Sequence, residues 1–351
     1  MTRIQKPQIL SFIIMILCSF QTIWGQTTKP EKVLRIVYES HPNEWYLEQA
    51  KLWKKELDIN PNNPTAWYNY YNANRYANYT ETIETKPKQE RLKKIIEDMS
   101  KAIPDTYEYY LLSYWNTHNL DDISLIEKAY AMHPERPDTY YPFIDYYEVR
   151  GDQTKAREFY RNLYNSKDIA PWLLSYNYNV LMSLEKNAIL FTNGDNDSYP
   201  AWMLQNALGI REDVIVINIP LSGTKTFLKN KLMQHGLSVD HETLFQKALT
   251  VGANEQKQFS ISKFAQELTK TLYETYPERS IYFALTVNEN FFNPFKDDLY
   301  IVGLAYQYST KRVDNFAKLK KNLEDNFRLD YITYDWYTEE YPGERTKIHC
   351  K

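Results

Sequence analysis

The sequence predicts a fold in two parts: an array of paired helices, followed by an α/β domain with a mostly parallel sheet. Two observations indicate this division. Proline-led, aromatic-rich segments recur at a spacing of 33 to 40 residues up to about residue 184, as in stacked helical hairpins. From residue 187, short apolar runs alternate with amphipathic segments, as in strands connected by helices. We therefore expect one domain at residues 26–186 and a second at 187–351.

The first 25 residues are predicted to be a secretory signal peptide. Arg3 and Lys6 give a positive start, and residues 9–20 form an apolar core that is short for a membrane span of about 20 residues. Two alternatives stay open, a lipoprotein anchored through Cys18 and an uncleaved N-terminal anchor. The expected location is the periplasm or the cell surface, and no membrane span is expected in the mature chain.

The composition argues against strongly charged partners. The formal net charge is −3, and Lys and Arg are interspersed with Asp and Glu. Nucleic acid and anionic membrane are therefore not expected partners. Cleavage after residue 25 would leave Cys350 as the one cysteine, so the mature chain would be held together by packing without an internal disulfide.

The helical half is predicted from short proline-containing segments that recur along the sequence. Each repeated proline suits the first turn of a helix, where no backbone donor is lost. The 31 tyrosines of the chain either fill contacts between helices or line a concave face that stacks on sugar or peptide. The period and the paired helices resemble the tetratricopeptide family over about residues 44–184, although the usual Gly-Tyr pair is missing. That resemblance implies a curved array that recruits a protein or glycan partner. The repeated proline segments are residues 64–67, 104–107, 137–140 and 171–172.

The second half is predicted to be a Rossmann-like three-layer α/β domain. Residues 299–306 favour a helix or a helix-ended turn, and residues 241–258 are expected to form an irregular loop. No linker is evident at 184–187, so we expect the two halves to pack together. The expected strands are 188–192, 214–219, 281–286 and, more weakly, 331–334. The expected helices are 200–208, 224–234, 261–276 and 313–326.

Four blocks of the second half carry a family resemblance. Residues 190–202 read Leu-Phe-Thr-Asn-Gly-Asp-Asn-Asp-Ser-Tyr-Pro-Ala-Trp. This block resembles the soluble C-terminal part of large multispanning membrane proteins of Gram-negative bacteria, a family of unknown function related to protein O-mannosyltransferases. Blocks at 209–214, 281–287 and 303–306 are similar to the same family in the same order. The resemblance implies an export-side module near glycan or envelope assembly, and it carries over no catalytic residue.

The candidate ligand site follows the first strand of the α/β half. Open α/β sheets bind ligands beyond the carboxyl ends of their strands, and polar side chains follow three of the predicted strands. Asp195 and Asp197 are candidate ligands for a divalent cation, because Mg²⁺, Mn²⁺ and Ca²⁺ prefer oxygen donors. In the alternative interpretation, these side chains stabilise the turn and cap the next helix. The candidate ligand-binding residues are Asn193, Asp195, Asp197, Ser198, Ser222 and Asn288.

The leading functional hypothesis is an exported, non-catalytic interaction or scaffold protein of the cell envelope, with no cofactor expected beyond that cation. The rivals are an envelope carbohydrate-active enzyme that uses Asp195 and Asp197, or a regulator of a membrane glycosyltransferase. Glu289 paired with Asp195 is a further carboxylate pair for glycoside cleavage. An enzyme should gather polar side chains from several strand ends in one concave pocket, whereas a scaffold should leave the 193–197 segment occupied by its own turn.

Overall fold

A computed structural model describes residues 29–36, 38–78, 86–117, 119–251 and 256–329. The fold is mostly helical and contains a mixed five-stranded sheet. The predicted signal peptide, the weak strand at 331–334, Cys18 and Cys350 lie outside the described residues. No helix within the described ranges is both long enough and apolar enough to cross a membrane.

The first half consists of helices, as predicted. Proline begins two of them, and Asn63 caps the helix at Pro64 by accepting a hydrogen bond from the Ala66 N–H at 3.2 Å. Pro137 begins a short 3₁₀ turn instead, Pro137–Thr139. Most consecutive helices pack against each other. In chain order the helices are α1 Asn43–Ile59, α2 Pro64–Tyr76, α3 Lys86–Ala102, α4 Tyr107–Thr117, α5 Ser124–Met132, α6 Tyr140–Arg150, α7 Gln153–Ser166 and α8 Pro171–Met182.

An extended segment precedes α1 and lies along α1 and α2; we call residues 29–36 and 38 the N-terminal strap. The Val33 N–H donates to Asn69 Oδ1 at 2.6 Å, and the Glu31 N–H donates to Gln49 Oε1 at 2.7 Å. The Val33 side chain is fully buried. Farther along, the Tyr38 hydroxyl donates to Asp168 at 3.0 Å. The strap is therefore fixed to the helical half by both backbone and side-chain contacts.

The five-stranded sheet has the order β2-β1-β5-β7-β6. β1 is parallel to β2 and β5, whereas β7 is antiparallel to β5 and β6. Two of the four pairings are thus antiparallel, and the prediction of a mostly parallel sheet is wrong. A separate hairpin joins β3 and β4. The strands are β1 Ile189–Thr192, β2 Ile215–Asn218, β3 Leu249–Val251, β4 Lys257–Phe259, β5 Ile281–Ala284, β6 Leu299–Ile301 and β7 Ala305–Tyr308.

Helices alternate with these strands close to the expected positions. The first of them starts five residues earlier than predicted, at Asp195 in place of Pro200. The expected 313–326 helix is a helix followed by a π-helical turn at Asn322–Asn326. The helices are α9 Asp195–Leu208, α10 Ile219–Ser222, α11 Lys225–Met233, α12 His241–Lys247, α13 Ile261–Thr275 and α14 Asn315–Lys321.

Two segments that were not expected to form strands contain them. Residues 299–306, expected to be helical, belong to the β6–β7 hairpin, because pairing with β5 outweighs their local pattern. Gly303 turns this hairpin at φ 159°, and a Cβ there would lie 2.4 Å from Ser183 Oγ. The segment 241–258, expected to be irregular, contains α12 and the start of the β3–β4 hairpin.

The two halves pack together through one hydrophobic cluster and a buried ion pair. The cluster contains side chains from helices of the first half and from the sheet. Lys231 Nζ on α11 lies 2.6 Å from Glu148 Oε2 on α6, and the Tyr160 hydroxyl donates to the same carboxylate at 2.9 Å. Removing one member would leave an uncompensated buried charge, so this contact fixes the position of the sheet against the helices.

Candidate ligand-binding cleft

The acidic segment after β1 lies in a helix. Because α9 begins at Asp195, both aspartates belong to its first turn, where negative charge is favourable. Pro200 lies inside this helix and has no N–H to offer the Asn196 carbonyl. The Asn177 side chain donates to that carbonyl at 3.0 Å. A side chain from α8 thus compensates for the proline and allows the early helix start.

Asp197 closes the connection between β1 and α9. Its carboxylate accepts the N–H groups of Asn193 and Gly194 at 2.7 and 2.8 Å, and the Thr286 hydroxyl at 2.5 Å. Burial raises the pKa of Asp197, whereas these three hydrogen bonds lower it. The side chain is occupied by contacts of the kind that the turn-stabilising interpretation describes.

The two predicted serines make internal hydrogen bonds. Ser198 Oγ is 2.7 Å from Thr192 Oγ1 and accepts from Asn218 Nδ2 at 2.9 Å. Ser222 donates to the Ile219 carbonyl at 2.6 Å. Both serines are completely buried. The Ser198 hydroxyl therefore joins α9 to the ends of β1 and β2, whereas the Ser222 hydroxyl bonds within α10.

Asn288 lies in a different setting from the serines. It is exposed and caps the short 3₁₀ helix Glu289–Phe291 by accepting the Asn290 N–H at 3.0 Å. Neither Asn288 nor Glu289 lines the cavity that Asp195 faces.

Asp195 is the one acidic candidate that faces a cavity. Its side chain is 39% exposed, and its Oδ2 lies 3.6 Å from Arg35 Nη2. The cavity has a volume of about 290 Å³ and lies between the carboxyl ends of β1 and β2 and the helical half; we call it the cleft. The sheet side contributes Gly194, Asp195, Tyr199, Asn218 and Pro220. The helical side contributes Arg35, Arg75, Trp115 and Asp145.

The helical wall of the cleft combines two cations with an indole ring. Arg35, carried by the strap, has its guanidinium carbon 5.4 Å from the centroid of the Trp115 ring. The Arg75 guanidinium on α2 lies 5.5 Å from the same ring. These distances suit cation–π contacts, so Trp115 helps to position both guanidinium groups at the cleft.

Asp145 is a nearly buried residue of the cleft lining, and its pKa is raised. It is 6% exposed and accepts the Tyr199 hydroxyl at 2.7 Å. Burial, together with the negative charges of Asp195 and Glu148, raises the pKa of Asp145 to about 7, against the opposing effect of the Tyr199 hydrogen bond. Near neutral pH this carboxyl is therefore partly protonated.

The fold brings no further group of metal-ligating side chains to Asp195 and Asp197 among the described residues. Asp195 faces Arg35, whereas both oxygens of Asp197 accept hydrogen bonds from its own connection and from Thr286. Among the described residues, no group of three or more His, Cys, Asp or Glu side chains is arranged to hold a metal ion. Metal binding there stays a prediction.

A second cavity, of about 410 Å³, is also lined by residues of the strap, and Arg35 lines both cavities. Its charged groups are largely paired with each other. Arg136 lies 2.8 Å from Glu108 and 3.7 Å from Asp138, and Asp168 accepts hydrogen bonds from the hydroxyls of Tyr38 and Tyr141. The second cavity therefore offers a ligand fewer uncommitted groups than the cleft.

Sequence reasoning missed the helical wall of the cleft. One signal was present: Arg75 and Trp115 each lie 11 positions after a repeated proline, Pro64 and Pro104. Stacked repeats bring equivalent positions side by side, so this offset indicates a shared surface. For Arg35 we find no comparable pattern, because its position follows from the path of the strap.

Comparison with known protein families gives a match to part of the chain. A family model described as TMEM260-associated domain 2 matches residues 174–238. That family is linked to TMEM260, a protein related to protein O-mannosyltransferases, which agrees in coarse form with the resemblance found in the sequence. The matched residues extend from α8 past α11 and include the sheet side of the cleft. No curated protein and no solved structure matches the chain.

Proposed function

We propose that this chain is an exported, non-catalytic glycan-binding protein of the cell envelope, with the ligand held in the cleft. One observation carries the proposal: Trp115 and two arginines from the helical half face Asp195, Asn218 and Tyr199 from the sheet half across one cavity. Sugars suit such a lining, because an aromatic ring packs on the C–H face of a sugar while polar side chains bond its hydroxyls.

The size and position of the cleft support a small ligand. Its volume of about 290 Å³ lies at the lower end of the range for small-molecule sites, which suits a single sugar ring. It also lies beyond the carboxyl ends of two parallel strands, the usual place for ligands in α/β sheets.

In this proposal, the helical half is a tetratricopeptide-like array that recruits its partner by forming one wall of the cleft. The sheet half is a Rossmann-like domain, and residues 1–25 direct export to the periplasm or cell surface. The match to a domain linked to TMEM260 supports a role connected with glycans, because TMEM260 is related to protein O-mannosyltransferases.

Glycan-array screening followed by calorimetry tests the proposal. We expect Trp115→Ala to weaken binding of any glycan hit by about tenfold or more, the scale expected when an aromatic side chain is removed from a binding site. Trp45→Ala is the matched control, because Trp45 is a partly buried tryptophan of the same half that does not line the cleft. Equal binding by both variants, or the absence of any hit, would refute the proposal.

A carbohydrate-active enzyme is the second candidate, and the contrast between two carboxyl groups favours it. Asp145, with its pKa raised to about 7, and Asp195, which is partly exposed, line the same cleft. Carboxyl groups whose environments differ in this way can divide the acid and base roles in glycoside hydrolysis. Hydrolysis of aryl glycosides that disappears in Asp145→Asn would support the enzyme over the binding protein.

A regulator of a membrane glycosyltransferase is the third candidate, and the family match favours it. Affinity purification of the tagged full chain from detergent-solubilised envelopes tests this role. Stoichiometric recovery of a multispanning glycosyltransferase would support it, whereas recovery of the chain alone would count against it.

A further inference from the structure

We propose that the ligand of the cleft carries an anionic group, a carboxylate or a phosphate, on its sugar ring, and that Arg35 and Arg75 bind this group. This inference rests on the proposed glycan-binding function and adds the chemical class of the ligand. It is argued from the unused hydrogen-bonding capacity of the two guanidinium groups.

Arg35 has a buried donor without an acceptor. Its Nη1 is buried and makes no hydrogen bond with any described residue. Its Nη2 reaches only Asp195, at 3.6 Å, which is longer than a charge-assisted hydrogen bond. A buried donor is costly to leave unsatisfied, so an oxygen atom supplied by a ligand would stabilise this arrangement.

Arg75 has still fewer polar contacts. Within the described residues, its side chain forms no ion pair or hydrogen bond, and its guanidinium group contacts the rings of Tyr76 and Trp115. A guanidinium group held by contacts with aromatic rings keeps its N–H groups free to donate. Two guanidinium groups beside one indole ring therefore offer several donors of the kind that bind carboxylates and phosphates.

The acidic residues of the cleft cancel these two cations only in part near pH 7. Asp145 is engaged by the Tyr199 hydroxyl and is partly protonated near pH 7. Asp195 is a long-range partner of Arg35 with 39% of its side chain in solvent. The two guanidinium charges of the lining therefore balance its two carboxyl groups when Asp145 is ionised and exceed them when Asp145 is protonated.

Calorimetry on the full chain with defined probes tests the inference. The probes are glucuronate, galacturonate, glucose 6-phosphate, glucose and inorganic phosphate, at low and moderate salt. We expect an acidic sugar to bind about tenfold or more tightly than glucose, and Arg75→Gln to remove this preference. Arg161→Gln is the control, because Arg161 is exposed on α7 and does not line the cleft. Preference for the uronates identifies a carboxylate ligand, and preference for glucose 6-phosphate identifies a phosphate.

The outcomes separate this inference from the proposed function. If glucose and the acidic sugars bind equally, or if Arg75→Gln keeps the preference, the anion site is refuted while glycan binding stands. If inorganic phosphate binds through Arg75 as tightly as any sugar, the anion site stands and the glycan function is refuted. If none of the probes binds, both are refuted.

Discussion

The two walls of the cleft use their polar groups in opposite ways. Behind the sheet-side wall, Asp197 and Ser198 are buried, do not line the cleft and are satisfied by their neighbours, and their hydrogen bonds hold strand ends and a helix start together. On the helical side, both arginines contact Trp115, the buried Arg35 Nη1 has no acceptor, and the Arg75 side chain makes no hydrogen bond with a described residue. A conspicuous polar motif can thus act mainly to stabilise the fold. The side chains that are free to bind a ligand then come from segments that are distant in sequence.

The largest effect should come from Asp197. Asp197→Ala removes the acceptor for two backbone N–H groups and for Thr286, so we expect the free energy of unfolding to fall by about 2–4 kcal/mol. Urea denaturation measures this change. Asp195→Ala is the matched control and should cost about 0.5 kcal/mol or less, because its ion pair is long and partly exposed. Equal losses in the two variants would contradict the division of roles.

A pH-dependent effect should come from Asp145. Its pKa of about 7 in the folded state is above the unfolded value of about 3.9, so the folded protein binds more protons between these values. Stability from this group is therefore present at low pH and is lost as pH rises from about 4 to about 7, by about 1–3 kcal/mol. Asp145→Asn should flatten this part of the stability profile in urea titrations at pH 5 and pH 8. An unchanged slope would refute the assignment.

A smaller effect on stability is expected at the helical wall. Arg75→Gln should change the free energy of unfolding by about 0.5 kcal/mol or less, because the side chain makes no ion pair with a described residue. The same variant should lose the preference for acidic ligands. A large destabilisation with unchanged binding would mean that Arg75 supports the fold, and the contrast between the two walls would disappear.

The smallest effect is expected from divalent cations. Since the oxygens of Asp197 are already used as acceptors, adding Mg²⁺, Mn²⁺ or Ca²⁺ should raise the melting temperature by less than about 1 °C. The double variant Asp195→Ala, Asp197→Ala provides the comparison. A larger shift that vanishes in the double variant would restore the metal hypothesis.

Local patterns predict the helices and the strands that lie in the interior. The strands expected at 188–192 and 214–219 contain β1 and β2. A short, almost entirely apolar run must be buried, and a strand inside a sheet is a common way to bury it. The helix expected at 299–306 is wrong, because the pairing of this segment with β5 is a contact between distant parts of the chain. The prediction of a mostly parallel sheet is wrong for the same reason, because the antiparallel pairings of β7 also join segments whose partner no local pattern identifies.

The site was only partly predictable. The strand-end rule indicated the correct edge of the sheet, and Asp195 does line the cleft there. The rule could not distinguish side chains that face the cleft from those that close the turn, since residues two positions apart on the first turn of α9 face different neighbours. Arg35 reaches the cleft only because the strap crosses the helical half, and no local pattern encodes that path.

Fluorescence from Trp115 tests the central claim most directly. The emission spectrum of the full chain minus that of Trp115→Phe isolates the indole of the cleft, and it can be followed during titration with glucuronate or glucose 6-phosphate. We predict a saturable change in this difference spectrum with an acidic sugar and none with Mg²⁺. A saturable response to Mg²⁺ together with no response to any sugar would contradict the account.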